Sequence, residues 1–146
     1  MNTLRLQNIK GQILLHCKNT TMANRPSPLT THVMNIAAGI PAADMALSLY
    51  GQDASTKVWN LITTGVTNSQ GSCPGLITKE MFQPGMYKIR FETELYWESL
   101  GETSFYPYVE FVFPVTDAEQ HYHVPLLLSR FWYTNSHTTY RRNEAS

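Results

Sequence analysis

The chain of 146 residues has little charge, no long apolar run and no basic patch. Eleven basic and eleven acidic residues cancel, and the basic ones are scattered along the chain. Nucleic acids and anionic membranes both require clustered positive charge, so neither is expected as the main partner. Nowhere do about 18 apolar residues follow one another, which excludes a membrane-spanning helix by sequence pattern. The N-terminus lacks the continuous apolar run of a secretory signal peptide, so we expect none.

Cysteine is also scarce, since Cys17 and Cys73 are the two in the sequence. They could pair, but we expect free thiols in a reducing compartment. A chain of this length buries about two-thirds of its unfolded surface and needs neither a disulfide nor a metal to fold as one domain. Its 8 Tyr, 6 Phe and 3 Trp, set against few charges, indicate that other subunits cover part of the surface.

The composition changes near Pro28, which divides the chain into an extension, residues 1–27, and a domain, residues 28–146. The extension is polar and irregular, with Leu6, Ile9 and Ile13 at the spacing of a weak amphipathic helical turn. Its last residues, from Asn19 onward, contain the Asn, Pro and Ser typical of a flexible linker.

Within the domain, short apolar segments alternate with turn residues, a pattern typical of a β-sandwich or barrel. Tyr87–Glu92 alternates apolar and charged residues and predicts a half-buried strand. One segment, Thr93–Leu100, predicts a short helix that begins at a Thr93 cap and ends at Gly101. The pattern also predicts strands at Ala46–Tyr50, Trp59–Thr64, Tyr108–Phe113, Tyr122–Ser129 and near Thr30, with turns at Ala38–Pro41, Asn68–Gly71 and Gln83–Gly85.

Three histidines are the candidate functional residues. On their strands, His32 shares a face with Met34, while His121 and His123 lie opposite the more apolar, core-like face of Tyr122–Leu128. The spacing leaves three interpretations open: ordinary histidines with a hydrogen-bonding neighbour, a binding site covered by another subunit, or zinc held by His121 and His123. Nothing resembles a nucleophile elbow, so a serine or cysteine triad is disfavoured.

A set of motifs occurs along the domain, at Ser27–Val33 with Gly39–Pro41, Cys73–Leu76, Gly85–Tyr87, Phe105–Glu110, His121–Ser129 and Tyr140–Arg141. With these motifs the sequence resembles the transthyretin-like family, and within it the 5-hydroxyisourate hydrolases. The resemblance covers about residues 28–141 and implies an all-β, prealbumin-like sandwich of two four-stranded sheets with one short helix. It further implies a homotetramer, a dimer of dimers whose sites line a channel between dimers.

The same resemblance implies an enzyme that hydrolyses 5-hydroxyisourate, a purine-derived product of urate oxidation, to a ureido-imidazoline carboxylate. His32 and His123 would form an acid–base pair that activates water against a ring amide, as neutral imidazoles near pH 7 can do. Ser72, Tyr140 and Arg141 stand at the substrate-binding positions. No metal and no organic cofactor is implied.

Two positions depart from the family pattern. The hydrolases have Gly-Arg-Cys-Pro-Gly-Leu where this chain has Gly71-Ser72-Cys73-Pro74-Gly75-Leu76, so a hydroxyl replaces a guanidinium. Loss of such a charge-assisted contact costs about 30- to 1000-fold in rate. After Tyr140-Arg141 the chain continues with Arg142 instead of the family's closing Gly-Ser. The alternative function is therefore a non-catalytic transthyretin-like protein that binds a small aromatic ligand.

The extension contains a candidate targeting motif. Arg5-Leu6, five residues and then Gln12-Ile13 resemble the type-2 peroxisomal signal, Arg-Leu-x5-His/Gln-Leu/Ala, apart from the last residue. A short motif also arises by chance. The sequence therefore predicts a peroxisomal location, with the cytoplasm as the alternative.

Overall fold

The computed structural model describes residues 27–131, 133–135 and 138–140. The predictions for the extension, Cys17 and the targeting motif lie outside the described residues. The described chain folds as β1 (Leu29–Asn35), β2 (Ile40–Pro41), β3 (Ala46–Gln52), β4 (Trp59–Val66), a 3₁₀ turn (Lys79–Met81), β5 (Gly85–Phe91), α1 (Thr93–Ser99), β6 (Val109–Val115), β7 (His121–Leu128), β8 (Tyr133–Asn135) and β9 (Thr138–Tyr140).

The first sheet has the order β2-β1-β7, with β8 and β9 both against the far side of β7. Leu126 pairs with Asn135 and His121 pairs with Tyr140, and both pairs belong to one antiparallel register. The strands β8 and β9 are thus two segments of one edge strand, so the sheet has four strand positions. The first strand of the domain and its last long strand, β1 and β7, run parallel at the centre.

The second sheet is antiparallel throughout, in the order β4-β3-β5-β6. On β5 the predicted alternation is confirmed, since Tyr87, Ile89 and Phe91 are buried while the two basic residues between them are partly exposed. The Lys88 ammonium lies 2.9 Å from the Glu110 carboxylate on β6. The sandwich of two four-stranded sheets with one short helix is confirmed.

Side chains from the inner faces of both sheets fill the core. Tyr122 of β7 contacts Phe82 at 5.7 Å between ring centroids, and Phe113 of β6 at 6.4 Å, so aromatic rings span the two layers. Each pair adds roughly 0.5–1.5 kcal/mol to the free energy gained by burial alone. The core also includes Leu29, Val33, Met45, Leu47, Leu49, Leu76, Ile89, Phe91, Val109, Val124, Leu126 and Leu128.

The helix α1 differs from the prediction at its start. Thr93 is the first helical residue and Glu92 holds the cap position, so Thr93 as cap was wrong. The Thr93 side chain is fully buried, and its hydroxyl has no hydrogen-bond partner among the described residues, so burial rather than capping determines this position. The predicted stop is confirmed. Gly101 has φ +75°, its amide donates to Glu98, and the next amide donates to Trp97, which is a Schellman end.

The turn predicted at Ala38–Pro41 was partly wrong. Gly39 makes the turn with φ +69°, but Ile40 and Pro41 pair with Asn35 and Met34 and form β2. The amide of Ala42 then donates to the Val33 carbonyl at 2.9 Å, which ties this hairpin to β1. Among the described helices, neither α1 nor the 3₁₀ turn is long enough to cross a bilayer.

Candidate active site

The central strands β1 and β7 place their histidines on one outward face of the first sheet. On β1 the odd-numbered residues from Leu29 are buried and the others are partly exposed, and β7 alternates in the same way. The parallel register sets Thr30 opposite His123, and His32 opposite Pro125, two residues further along. The two alternations and the pairing of the strands place His32, His121 and His123 on one shared face.

Thr30 joins the two histidines of β7. Its hydroxyl oxygen lies 2.8 Å from Nδ1 of His123 and 3.0 Å from Nε2 of His121. Sequence reasoning missed this residue, although Thr30 precedes His32 by two positions and so shares its face of β1. The two-residue spacing between Thr30 and His32 was the available signal.

His32 is oriented by the main chain of a neighbouring turn. Its Nε2 lies 2.9 Å from the carbonyl oxygen of Gln70, and His32 itself forms an isolated antiparallel bridge with Ser72. A carbonyl oxygen accepts and cannot donate, so the ring nitrogen in this contact must carry the proton. The neutral His32 ring therefore has its lone pair on Nδ1.

The turn that presents Gln70 is fixed by its own hydrogen bonds. The Asn68 side-chain oxygen accepts from the amides of Gln70 at 2.9 Å and Ser72 at 3.1 Å. Gly71 closes the turn at φ +79°, and its carbonyl accepts from the Val33 amide at 2.8 Å. The predicted turn at Asn68–Gly71 is confirmed, and it places Ser72 beside β1.

The electrostatic environment favours the neutral form of His123. Partial burial lowers the pKa of His123, and the neighbouring charges of His121 and then His32 lower it further. A ring with a pKa below its ordinary value of 6.5 is mostly unprotonated at pH 7, and it can accept a proton there.

The remaining predicted site residues are described to different extents. Tyr140 on β9 pairs in register with His121, which brings its backbone to the histidine end of β7. Arg141 lies outside the described residues. Among the residues that the structure describes, no group of three or more His, Cys, Asp or Glu side chains is arranged to hold a metal ion. The chemistry available on the described part of this face is proton transfer by imidazoles.

Comparison with known proteins identifies the family. A sequence model of the HIUase/Transthyretin family matches residues 29–141, which is most of the chain. The chain belongs to the HIUase/Transthyretin family. The resemblance found in the sequence is thereby confirmed.

Relatives in both branches of the HIUase/Transthyretin family are similar to this chain. The 5-hydroxyisourate hydrolase of Mus musculus is 49% identical over 120 residues, 82% of this chain and 98% of that protein. The probable 5-hydroxyisourate hydrolase of Schizosaccharomyces pombe is 41% identical over 82% of this chain and 97% of its own length. The transthyretin of Aquarana catesbeiana is 36% identical over 78% of this chain and 74% of its own length.

Solved structures of the HIUase/Transthyretin family share the fold. Transthyretin from Sparus aurata aligns with a TM-score of 0.74 at 35% identity, and covers 77% of this chain and 97% of its own. A sea bream transthyretin in complex with thyroxine aligns with a TM-score of 0.75 at 35% identity, over 80% and 99% of the two chains.

Proposed function

We propose that this protein is a 5-hydroxyisourate hydrolase. Support comes from 49% identity to the mouse enzyme across 98% of that enzyme's length. The observation that carries the proposal is the pair His32 and His123, held on one face of adjacent strands with defined hydrogen-bond partners. The reaction opens a ring amide of 5-hydroxyisourate with water and gives a ureido-imidazoline carboxylate.

His123 is the general base of the proposed reaction. Thr30 contacts Nδ1 of this ring, which leaves Nε2 as the nitrogen available to take a proton from water. Its lowered pKa keeps the ring neutral at pH 7, so the base is ready when substrate binds. Once protonated, the same nitrogen can return the proton to the leaving ring nitrogen, which balances the hydrolysis.

His32 orients the water or the substrate. Because Gln70 accepts from Nε2–H, the neutral ring offers Nδ1 as an acceptor for a water proton or a ring N–H of the substrate. The hydrogen bond to the Gln70 carbonyl already restricts rotation of the His32 ring, so less conformational entropy is lost when substrate binds. Removing the ring should therefore lower the rate without unfolding the protein.

Substrate binding involves Ser72 and the tail. The amide of Ser72 donates to Asn68 and its bridge partner is His32, so a substrate held between the imidazoles would lie near the Ser72 hydroxyl. Tyr140 and Arg141 complete the set as substrate-binding residues of the tail. Ser72 makes a neutral contact where the family pattern has a cation, and we therefore expect a slow enzyme.

A homotetramer is proposed as the working assembly. Large apolar side chains remain exposed on the described chain, among them Leu127 on the histidine face and Phe131 just after β7. Apolar surface of this kind favours burial against another copy. Native mass spectrometry and light scattering on the full chain should give a mass of four subunits, and a monomer at micromolar concentration would contradict the assembly.

A peroxisomal location is proposed from the extension. The motif Arg5-Leu6 with Gln12-Ile13 should direct a fluorescent fusion of the full chain to peroxisomes. Arg5→Ala with Leu6→Ala should return the fusion to the cytoplasm. A diffuse signal from the unmodified chain would favour the cytoplasmic alternative.

A coupled absorbance assay tests the catalytic proposal. Urate oxidase generates 5-hydroxyisourate from urate in the cuvette, and its decay is followed with and without the protein. We expect accelerated decay, reduced by about 100-fold or more in His123→Ala and His32→Ala. Ser55→Ala, in the exposed turn after β3 and outside the histidine face, serves as a control. Unchanged decay with the wild-type protein would overturn the proposal.

The alternative is a binding protein for a small aromatic ligand. Ser72 favours it, because the site lacks the guanidinium that the family pattern has at this position. The sea bream transthyretin structure contains thyroxine and shares the fold. Calorimetric titration with thyroxine, in parallel with the decay assay, separates the two: tight binding without hydrolysis would favour the carrier.

A further inference from the structure

The Thr30 hydroxyl lies between two imidazole rings and has one proton to donate. It contacts Nδ1 of His123 and Nε2 of His121 within hydrogen-bond distance. Since a hydroxyl donates once and accepts through its lone pairs, it can donate to one ring and accept from the other. Two arrangements of the three groups place the hydroxyl proton in a hydrogen bond to one of the rings.

The two arrangements give His123 opposite capabilities. In the first, Nδ1–H of His123 donates to Thr30, which donates to Nε2 of His121, so the neutral His123 ring carries its lone pair on Nε2. In the second, Nε2–H of His121 donates to Thr30, which donates to Nδ1 of His123. The proton of the neutral His123 ring then lies on Nε2, where it cannot accept another.

We infer that Thr30 is a positioning residue for His123, and that the protonation of His121, transmitted through Thr30, decides whether Nε2 of His123 can accept a proton. A cationic His121 carries protons on both nitrogens, so its Nε2–H must donate to Thr30, and the hydroxyl proton can then bond to a ring only at Nδ1 of His123, which favours the second arrangement. A neutral His121 can adopt the first. The consequence for the rate rests on the proposed role of His123 as base.

If His121 acted on His123 only through charge repulsion, protonation of His121 would have the opposite effect on activity. A positive His121 lowers the pKa of His123 and so keeps that ring neutral, which would preserve the base as the pH falls. The hydrogen-bonded chain instead converts the neutral ring to the wrong tautomer. The two effects have opposite signs in mildly acidic solution, so an experiment can separate them.

The elements next to this chain of hydrogen bonds carry other titratable residues, and their contributions must stay constant between variants. A change confined to the Thr30 hydroxyl leaves each of them in place. On the neighbouring elements they are His32 on β1, Tyr140 on β9 in register with His121, and Asp117 and Glu119 before β7, the latter paired with Lys79 at 3.0 Å.

The first test is nitrogen NMR of the histidine rings in the wild-type protein, with ¹⁵N-labelled histidine. As the pH falls through the ionisation of His121, the neutral His123 ring should change from the Nδ1–H to the Nε2–H form. This readout needs neither substrate nor a variant. A His123 tautomer that stays the same while His121 titrates would overturn the inference.

The second test is the pH profile of 5-hydroxyisourate hydrolysis in the decay assay, with Thr30→Val and the matched Thr30→Ser. The base requires both His121 and His123 to be neutral, so below both ionisations log kcat/KM of the wild type should fall more steeply by about one unit of slope than in Thr30→Val. At pH 7.5, Thr30→Val should lower kcat by about tenfold with little change in KM. Thr30→Ser should restore both properties.

Equal slopes in wild type and Thr30→Val would overturn the inference. So would a serine variant that behaves like the valine variant while both remain folded by circular dichroism. Failure of the proposed function has a different signature: no hydrolysis by any variant, with the His123 tautomer still following His121 in the NMR titration.

Discussion

Ser72 forms an isolated antiparallel bridge with His32, so the residue that replaces the family's arginine lies directly beside a proposed catalytic imidazole. A longer cationic side chain at position 72 would therefore be close enough to contact a substrate bound at His32. The Ser72 backbone is already fixed by Asn68 through two hydrogen bonds, and therefore a change of side chain need not move the turn.

Ser72→Arg should increase the catalytic efficiency. A guanidinium supplies charge-assisted hydrogen bonds to a polar substrate and to the developing oxyanion, and we expect kcat/KM to rise by about 30- to 1000-fold in the decay assay. Ser69→Arg is the matched control, because it adds the same charge to an exposed position of the same turn. An equal rise in both variants would mean that net charge, rather than this contact, limits the rate.

Gly71→Ala should damage both stability and activity. At φ +79° an added Cβ would clash with the Val33 carbonyl oxygen, so the turn must shift and the Gln70 carbonyl moves relative to His32. We expect a loss of about 2–4 kcal/mol in the free energy of unfolding, measured by urea denaturation. Gln70→Ala is the control: His32 contacts the Gln70 main chain, so near wild-type stability and rate are expected there.

Much of the fold follows from local pattern. The period-two alternation of β5 and β7 assigned the buried and exposed faces correctly, because burial on one side of a sheet imposes that period. The same alternation placed His121 and His123 opposite the core face of their strand before any pairing was known.

The hydrogen bonds that complete the site cannot be recognised from a periodic pattern in the sequence. His32 is anchored by the main-chain carbonyl of Gln70, and a backbone acceptor is present at every residue, so composition cannot single it out. The Thr30 contacts depend on the register of β1 against β7, strands separated by about 90 residues in sequence. Thr93 was assigned as a cap from its residue type, but burial of its side chain in the core decided its place.

Leu126 and Leu127 on β7 provide a matched pair for the core. Leu126 is 0% exposed within the sandwich, whereas Leu127 is 41% exposed on the histidine face. Leu126→Ala should lower the free energy of unfolding by about 2–5 kcal/mol, because it leaves a cavity. Leu127→Ala should cost less than about 0.5 kcal/mol in a monomeric chain. A large urea-denaturation effect for Leu127→Ala, together with a change in mass by light scattering, would place that residue in a subunit interface.

Asp53, after β3, should titrate at unusually low pH. Its carboxylate accepts from the Thr56 amide and from the amide and hydroxyl of Ser55, and these hydrogen bonds lower its pKa from 3.8 to about 2. The stabilisation should be complete above pH 3.8 and lost as the pH falls through about 2. Carboxyl-carbon NMR gives the pKa directly, and Ser55→Ala should raise it. An Asp53 midpoint near 3.8 would show that this turn does not hold the carboxylate.

His123 should make the protein less stable in mildly acidic solution. Burial and the charges of His121 and His32 lower its folded-state pKa below the ordinary 6.5, so the unfolded chain binds this proton more readily than the native one. Its contribution to stability is therefore present above pH 6.5 and is lost as the pH falls through the folded-state pKa. Urea denaturation at pH 8 and pH 5.5 should show a smaller pH dependence in His123→Gln than in the wild type. The same lowered pKa extends the neutral form of the ring to lower pH. A wild-type His123 midpoint at or above 6.5 by NMR would contradict this stability argument.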